Sequence, residues 1–141
     1  MKLLLKNFQC PGDICTLTAC IRDFKKAYPH VEICVETTAM YLWENNPFIC
    51  RDKTNVDKTI DMHYPLIHNS TQGCYHFIHG FRKYLIEQLK MPFEQGNFQI
   101  DIHLSEDEKN GAWFKSLNLP TDKKVWIIDA GFKNDFTAKF W

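Results

Sequence analysis

The chain has 141 residues, 45% hydrophobic and 24% charged, and its 17 Lys and Arg balance 17 Asp and Glu to a formal net charge of zero. Such a composition supports a globular domain with a real core, and the lack of a basic excess excludes a general nucleic-acid binder. No run approaches the roughly 20 apolar residues of a membrane span, and residues 3–5, between Lys2 and Lys6, are too few for a signal-peptide core. The expected location is therefore cytoplasmic.

Leu3, Leu4 and Leu5 predict a buried parallel strand. After it come Pro11, Gly12 and Asp13, then a helix in which Ile14, Leu17, Ile21, Phe24 and Tyr28 recur at spacings of three and four. Arg22, Asp23, Lys25 and Lys26 are expected on the opposite, solvated side. Asp13 falls in or beside the first turn, where free amides and the helix dipole favour its ionised form. It is placed to act as a general base or as a cap, and the residues alone leave both readings open. The locally basic first thirty residues can greet an anionic lipid or a phosphorylated sugar, or simply form a solvated helix face.

Val31, Ile33 and Val35 alternate with Glu32, Cys34 and Glu36, which predicts a second strand. Thr37 or Thr38 can cap a short helix through Ala39, Met40, Leu42 and Trp43, ended by Asn45-Asn46-Pro47. Residues 48–50 read as a third short strand, residues 53–57 as a polar turn and residues 59–62 as a weaker fourth strand.

A long loop over residues 63–73 leads into a helix near residues 75–89. His63, His68, His76 and His79 gather here. His76 and His79 stand one helical turn apart and could chelate a metal, but no acidic or thiol ligand accompanies them at a recognisable spacing. The expectation is no metal site, with histidines that hydrogen-bond in a polar pocket or at the surface. Rings and imidazoles beyond a strand end also suit a sugar-binding wall.

Ser105 and Glu108 have capping-box spacing before a short helix with Trp113, Phe114 and Leu117 on its apolar side. Leu119-Pro120-Thr121-Asp122 is the expected domain boundary, dividing the chain into residues 1–119 and 120–141. Val125, Trp126, Ile127 and Ile128 predict a new strand, ended by Gly131, which opens a β-loop-α unit cut short at Trp141. The six cysteines, Cys10, Cys15, Cys20, Cys34, Cys50 and Cys74, contain no Cys-x-x-Cys pair. With no secretory signal they are expected to be free thiols.

The run from Leu3 through Gly12-Asp13 to Phe24, followed by Tyr28-Pro29-His30-Val31-Glu32-Ile33, resembles the opening of glycosyltransferase family 9, whose best-known members are ADP-heptose:lipopolysaccharide heptosyltransferases. Asn46-Pro47-Phe48-Ile49 fits the family's next landmark, and Ala130-Gly131 with Lys139-Phe140-Trp141 resembles the start of its donor-binding domain. The first turn, Cys10-Pro11-Gly12-Asp13, is poorer in glycine than is usual in the family.

The resemblance implies an α/β fold: a Rossmann-like, mostly parallel sheet flanked by helices, forming the N-terminal half of a GT-B glycosyltransferase. It implies an inverting enzyme that moves a sugar from a nucleotide-diphosphate donor, ADP-heptose, to a lipopolysaccharide-core or related saccharide or glycolipid acceptor. The donor is a substrate, and no cofactor is expected. Asp13 would be the catalytic base, with Gly12, His63, Tyr64, His68 and His76 on the acceptor and Gly131, Thr137 and Lys139 on the donor. The family's second domain would be largely missing, leaving this chain inactive alone, and peripheral contact with the inner membrane would fit such acceptors. The alternative is a non-catalytic saccharide-binding or interaction module. A dinucleotide-binding oxidoreductase is disfavoured because Gly-x-Gly-x-x-Gly is absent.

Overall fold

A computed structural model describes residues 1–63 and 76–119, with 124 and 126. The chain divides into two compact units, Met1–Ser105 and Glu106–Trp141, a division that falls before the expected boundary at residue 119.

The first unit is α/β. Strand β1 (Lys2–Asn7) leads into helix α1 (Pro11–Ala27) and returns as β2 (Glu32–Thr37), while β3 (Lys58–Asp61) is followed by helix α2 (Phe77–Leu89). The sheet is small, open and parallel, in the order β2-β1-β3. Leu5 sits between Val35 and Ile60 in register. Side chains alternate across a strand, so Leu3 and Leu5 enter the core while Lys2 and Lys6 face the other way. On that second face Lys2 pairs with Glu32 and Asp52, and Lys6 with Glu36. The core joins Leu3, Leu5, Ile33, Val35 and Ile60 to Ile14, Leu17, Ile21 and Phe24 of α1 and to Phe81 and Leu85 of α2. Helix α1 begins with Pro11 at its first position, where the missing N–H costs nothing.

Several expectations change. Residues 40–43 form a 3-10 turn, Met40–Trp43, without a side-chain cap; Trp43 is fully buried, its indole N–H donating to Thr37 Oγ1 at 3.2 Å. The third strand expected at residues 48–50 reduces to one bridge, Ile49 against Ile33 on the outer side of β2. Cys34 and Cys50 are not free thiols but form a disulfide, which clips this bridged segment to β2. Cys10, Cys15 and Cys20 are free; Cys74 lies outside the described residues. Cys20 is buried, and desolvation aided by the nearby Asp23 carboxylate pushes its thiol well above the ordinary range.

The largest correction concerns Arg22 and Asp23, which are buried rather than solvated. Residues 90–104 have no helix or strand of their own and cross over α1 as a strap. Arg22 Nε donates to Asp23 Oδ1 at 2.9 Å, and its two other nitrogens bind the carbonyls of Gln99 (2.7 Å) and Asn97 (2.9 Å). Asp23 Oδ2 accepts the Gly96 N–H at 2.8 Å and the Gln95 side-chain amide at 3.2 Å. Three strap backbone groups and the Gln95 side-chain amide supply hydrogen bonds that help offset the cost of burying this pair. Thr18 Oγ1 accepts the Asp101 N–H, and Phe93 packs edge-on against Phe24.

The second unit contains helices α3 (Glu106–Lys109) and α4 (Ala112–Ser116). Helix α3 starts immediately after Ser105, and Gly111, in the left-handed region at φ 66°, turns the chain into α4. Leu117, expected on an apolar face, is exposed.

Candidate functional site

In a parallel sheet of this order the chain leaves β1 in one direction to reach β2 and later crosses to β3 on the other side. The crevice at the carboxyl ends of β1 and β3 is thus a topological switch point, where open α/β sheets bind ligands. Its floor is built by Asn7, the last residue of β1. The Asn7 side-chain amide donates to Met62 O and to Gln9 Oε1, each at 2.9 Å, and Asn7 Oδ1 accepts the Gln9 N–H. Thr38 Oγ1, just past β2, donates to Gln9 O at 2.7 Å. The turns that leave all three strands are fixed to one another through these bonds.

On this base stand Gly12 and Asp13, at the second and third positions of α1. Asp13 Oδ2 accepts the Cys10 N–H at 3.0 Å, closing the acidic half of a capping box. Its capping role is therefore real. Among the described residues Oδ1 has no hydrogen-bond partner, so one oxygen remains for something outside the helix. Gly12 is helical, and among the described residues a Cβ added to it would meet nothing within 4 Å. Neither backbone conformation nor packing demands glycine here, and glycine in a helix costs roughly 0.5–1 kcal/mol relative to alanine.

His63 follows β3, with its ring centroid 4.2 Å from that of Tyr84. His76 is the N-cap of α2, its Nδ1 accepting the Ile78 N–H at 3.2 Å. His76 and His79 both press on Phe98 of the strap, with ring centroids at 4.9 and 5.3 Å. The role of Phe98 was not legible in the sequence, because the strap has no periodicity to assign it a place.

Gly12 and Asp13 thus follow β1 at the start of α1, His63 follows β3, and His76 caps α2. Tyr64 and His68, and the expected donor contacts Gly131, Thr137 and Lys139, lie outside the described residues. Among the described residues no group of three or more His, Cys, Asp or Glu could hold a metal ion, and no helix is long and apolar enough to cross a membrane.

No family model, curated protein or solved structure matches this chain.

Proposed function

We propose that this chain is the acceptor-side part of an inverting glycosyltransferase of the heptosyltransferase type, with the Rossmann-like architecture of a GT-B half. The observation that carries the reading is the Gly12-Asp13 turn beside the switch point, where among the described residues nothing stands over Gly12 and one oxygen of Asp13 is uncommitted. The resemblance of the same turn to glycosyltransferase family 9 supplies the chemistry. Asp13 takes the proton from an acceptor hydroxyl as that oxygen attacks the anomeric carbon of a nucleotide-diphosphate sugar, ADP-heptose. The carbon–phosphate-oxygen bond breaks with inversion, and the nucleoside diphosphate leaves with the bonding electrons. General-base help of this kind is worth about 10²- to 10⁴-fold. Gly131, Thr137 and Lys139 enter the proposal through the resemblance as contacts to the donor diphosphate, where a hydroxyl and an ammonium suit its oxygens.

The proposed acceptor is a lipopolysaccharide-core or related saccharide, and the proposed setting is the cytoplasmic face of a membrane. The Cys34–Cys50 bond weighs against that setting, since disulfides are rare in the cytosol. A second reading, a saccharide-binding module without catalysis, is favoured by the hydrogen bond that already employs Asp13 as a cap.

The test is Asp13→Asn in the full gene product, assayed with ADP-heptose and a lipopolysaccharide-core acceptor lacking heptose. Asn also caps helices, so the fold should persist while turnover falls by at least about 10²-fold. Unchanged turnover in the variant would remove the catalytic role of Asp13. Saccharide binding without transfer by the unmodified protein would establish the binding module instead, and the absence of both would end the saccharide reading.

A further inference from the structure

Phe98 is 53% exposed although two imidazoles pack against its ring. The interplanar angles with His76 and His79 are 66° and 62°, so neither imidazole lies flat on the ring. The strap residues on either side are anchored, since the carbonyls of Asn97 and Gln99 both accept from the buried Arg22 guanidinium. The platform is therefore preorganised, and little motion is lost when something lands on it.

His76 adds direction. Because its Nδ1 accepts the Ile78 N–H, the neutral ring carries its proton on Nε2, a donor turned away from the helix end. A half-exposed aromatic ring beside an N–H donor suits a pyranose ring, which offers a patch of C–H bonds on one face and hydroxyl acceptors at its rim. His79 also lines a hollow of about 460 Å³ beside α2, together with Arg82, Lys83, Ile86 and Glu87. That gives room for neighbouring sugar units.

We infer that Phe98, with His76 and His79, is a stacking platform for one sugar ring of the acceptor. The inference rests on the acceptor-side reading above and deepens it. Phe98 binds and orients; it takes no part in bond making.

The experiment measures acceptor KM and kcat separately in the full gene product with ADP-heptose and heptose-free lipopolysaccharide core, for Phe98→Ala, Phe98→Leu, Phe98→Trp and His76→Asn. Phe98→Ala and Phe98→Leu should both raise acceptor KM about tenfold with kcat and donor KM unchanged, in keeping with base-stacking losses at aromatic platforms. Phe98→Trp, which restores a ring face, should return KM to near the unmodified value. His76→Asn keeps the cap but loses the outward donor, and should raise KM several-fold. Unchanged acceptor KM in Phe98→Ala and Phe98→Leu, with transfer intact, overturns the platform and leaves the acceptor-side reading standing. Absence of transfer by the unmodified protein overturns that reading and the platform with it. Co-sedimentation of the unmodified protein with phosphatidylglycerol vesicles, lost in Phe98→Ala, would show that the ring meets a membrane, and would also overturn the inference.

Discussion

Gly96→Ala tests the strap. A Cβ built on Gly96 would stand 2.4 Å from Asp23 Oδ1 and 2.9 Å from its Cγ, roughly an ångström inside ordinary contact. The carboxylate cannot swing aside, because Arg22 Nε holds one oxygen while the Gly96 N–H and Gln95 amide hold the other. Either the strap lifts or the ion pair is deformed. Overpacking of this kind costs about 1–3 kcal/mol, and loss of a hydrogen bond to a charged group about 1.5–3 kcal/mol. The two effects overlap, so the expected loss is about 3 kcal/mol, or on the order of 10 °C in Tm for a domain of this size. Urea unfolding followed by circular dichroism measures it, with an unchanged m-value as the check that the folded state is otherwise the same. In an Asp23→Ala background the same substitution meets no carboxylate, and its cost should fall below about 1 kcal/mol. A Gly96→Ala variant within about 0.5 kcal/mol of the unmodified protein, or an equal cost in both backgrounds, would refute the buried clasp.

Gly12→Ala should act oppositely on the fold, gaining about 0.5–1 kcal/mol because its site is helical and open, yet it should weaken acceptor binding; a stabilised variant with unaltered acceptor KM would show that the space over Gly12 serves no ligand. Reducing the Cys34–Cys50 disulfide, whose ends lie 16 residues apart, should lower stability by about 3 kcal/mol; an unchanged denaturation midpoint after reduction would contradict it. In the native oxidised protein, alkylation at pH 8 should label exposed Cys10 first and spare buried Cys20, and rapid labelling of Cys20 by mass spectrometry would show that α1 is not covered as described. The Asp52 carboxyl is held down to about 2 by the Thr54 N–H, then the Thr54 hydroxyl and the Lys2 ammonium. Since its ordinary value is 3.8, its stabilising effect is complete above about pH 4 and is lost as pH falls through about 2. Asp52→Asn should flatten that part of the acid limb, and parallel curves for variant and unmodified protein would refute the assignment.

The local units were legible because their signals are periodic. The spacing of Ile14, Leu17, Ile21 and Phe24 gives α1 and its buried face, the alternation at Ile33 and Val35 gives β2, and Pro11 with Asp13 gives the helix start. Gly12, Asp13, His63 and His76 stand at or beside element ends, which the same periodic signals locate. What stayed hidden is non-local. Arg22 and Asp23 occupy the polar side of α1, and only the strap, which has no repeating pattern, turns that side into an interior. The pairing of Cys34 with Cys50 depends on the bridge of Ile49 to Ile33, too short to leave a strand signature. The contact of Phe98 with His76 and His79 joins two elements far apart in the sequence and has no local signature.

The strap also sets an order of events. The bonds that hold it join residues 73, 75, 77 and 83 positions apart, whereas β1, α1 and β2 close within one short stretch of chain. Loop closure must precede the contacts that reward it, so β1, α1 and β2 close before the strap docks, and the strap can open while they stay closed. In that partly opened state the amides of Gly96 and Asp101 exchange with solvent while the amides of β1 stay protected, and the Arg22–Asp23 pair meets water without global unfolding. Because Phe98 lies between Asn97 and Gln99, whose carbonyls bind Arg22, its ring leaves His76 only when those bonds open.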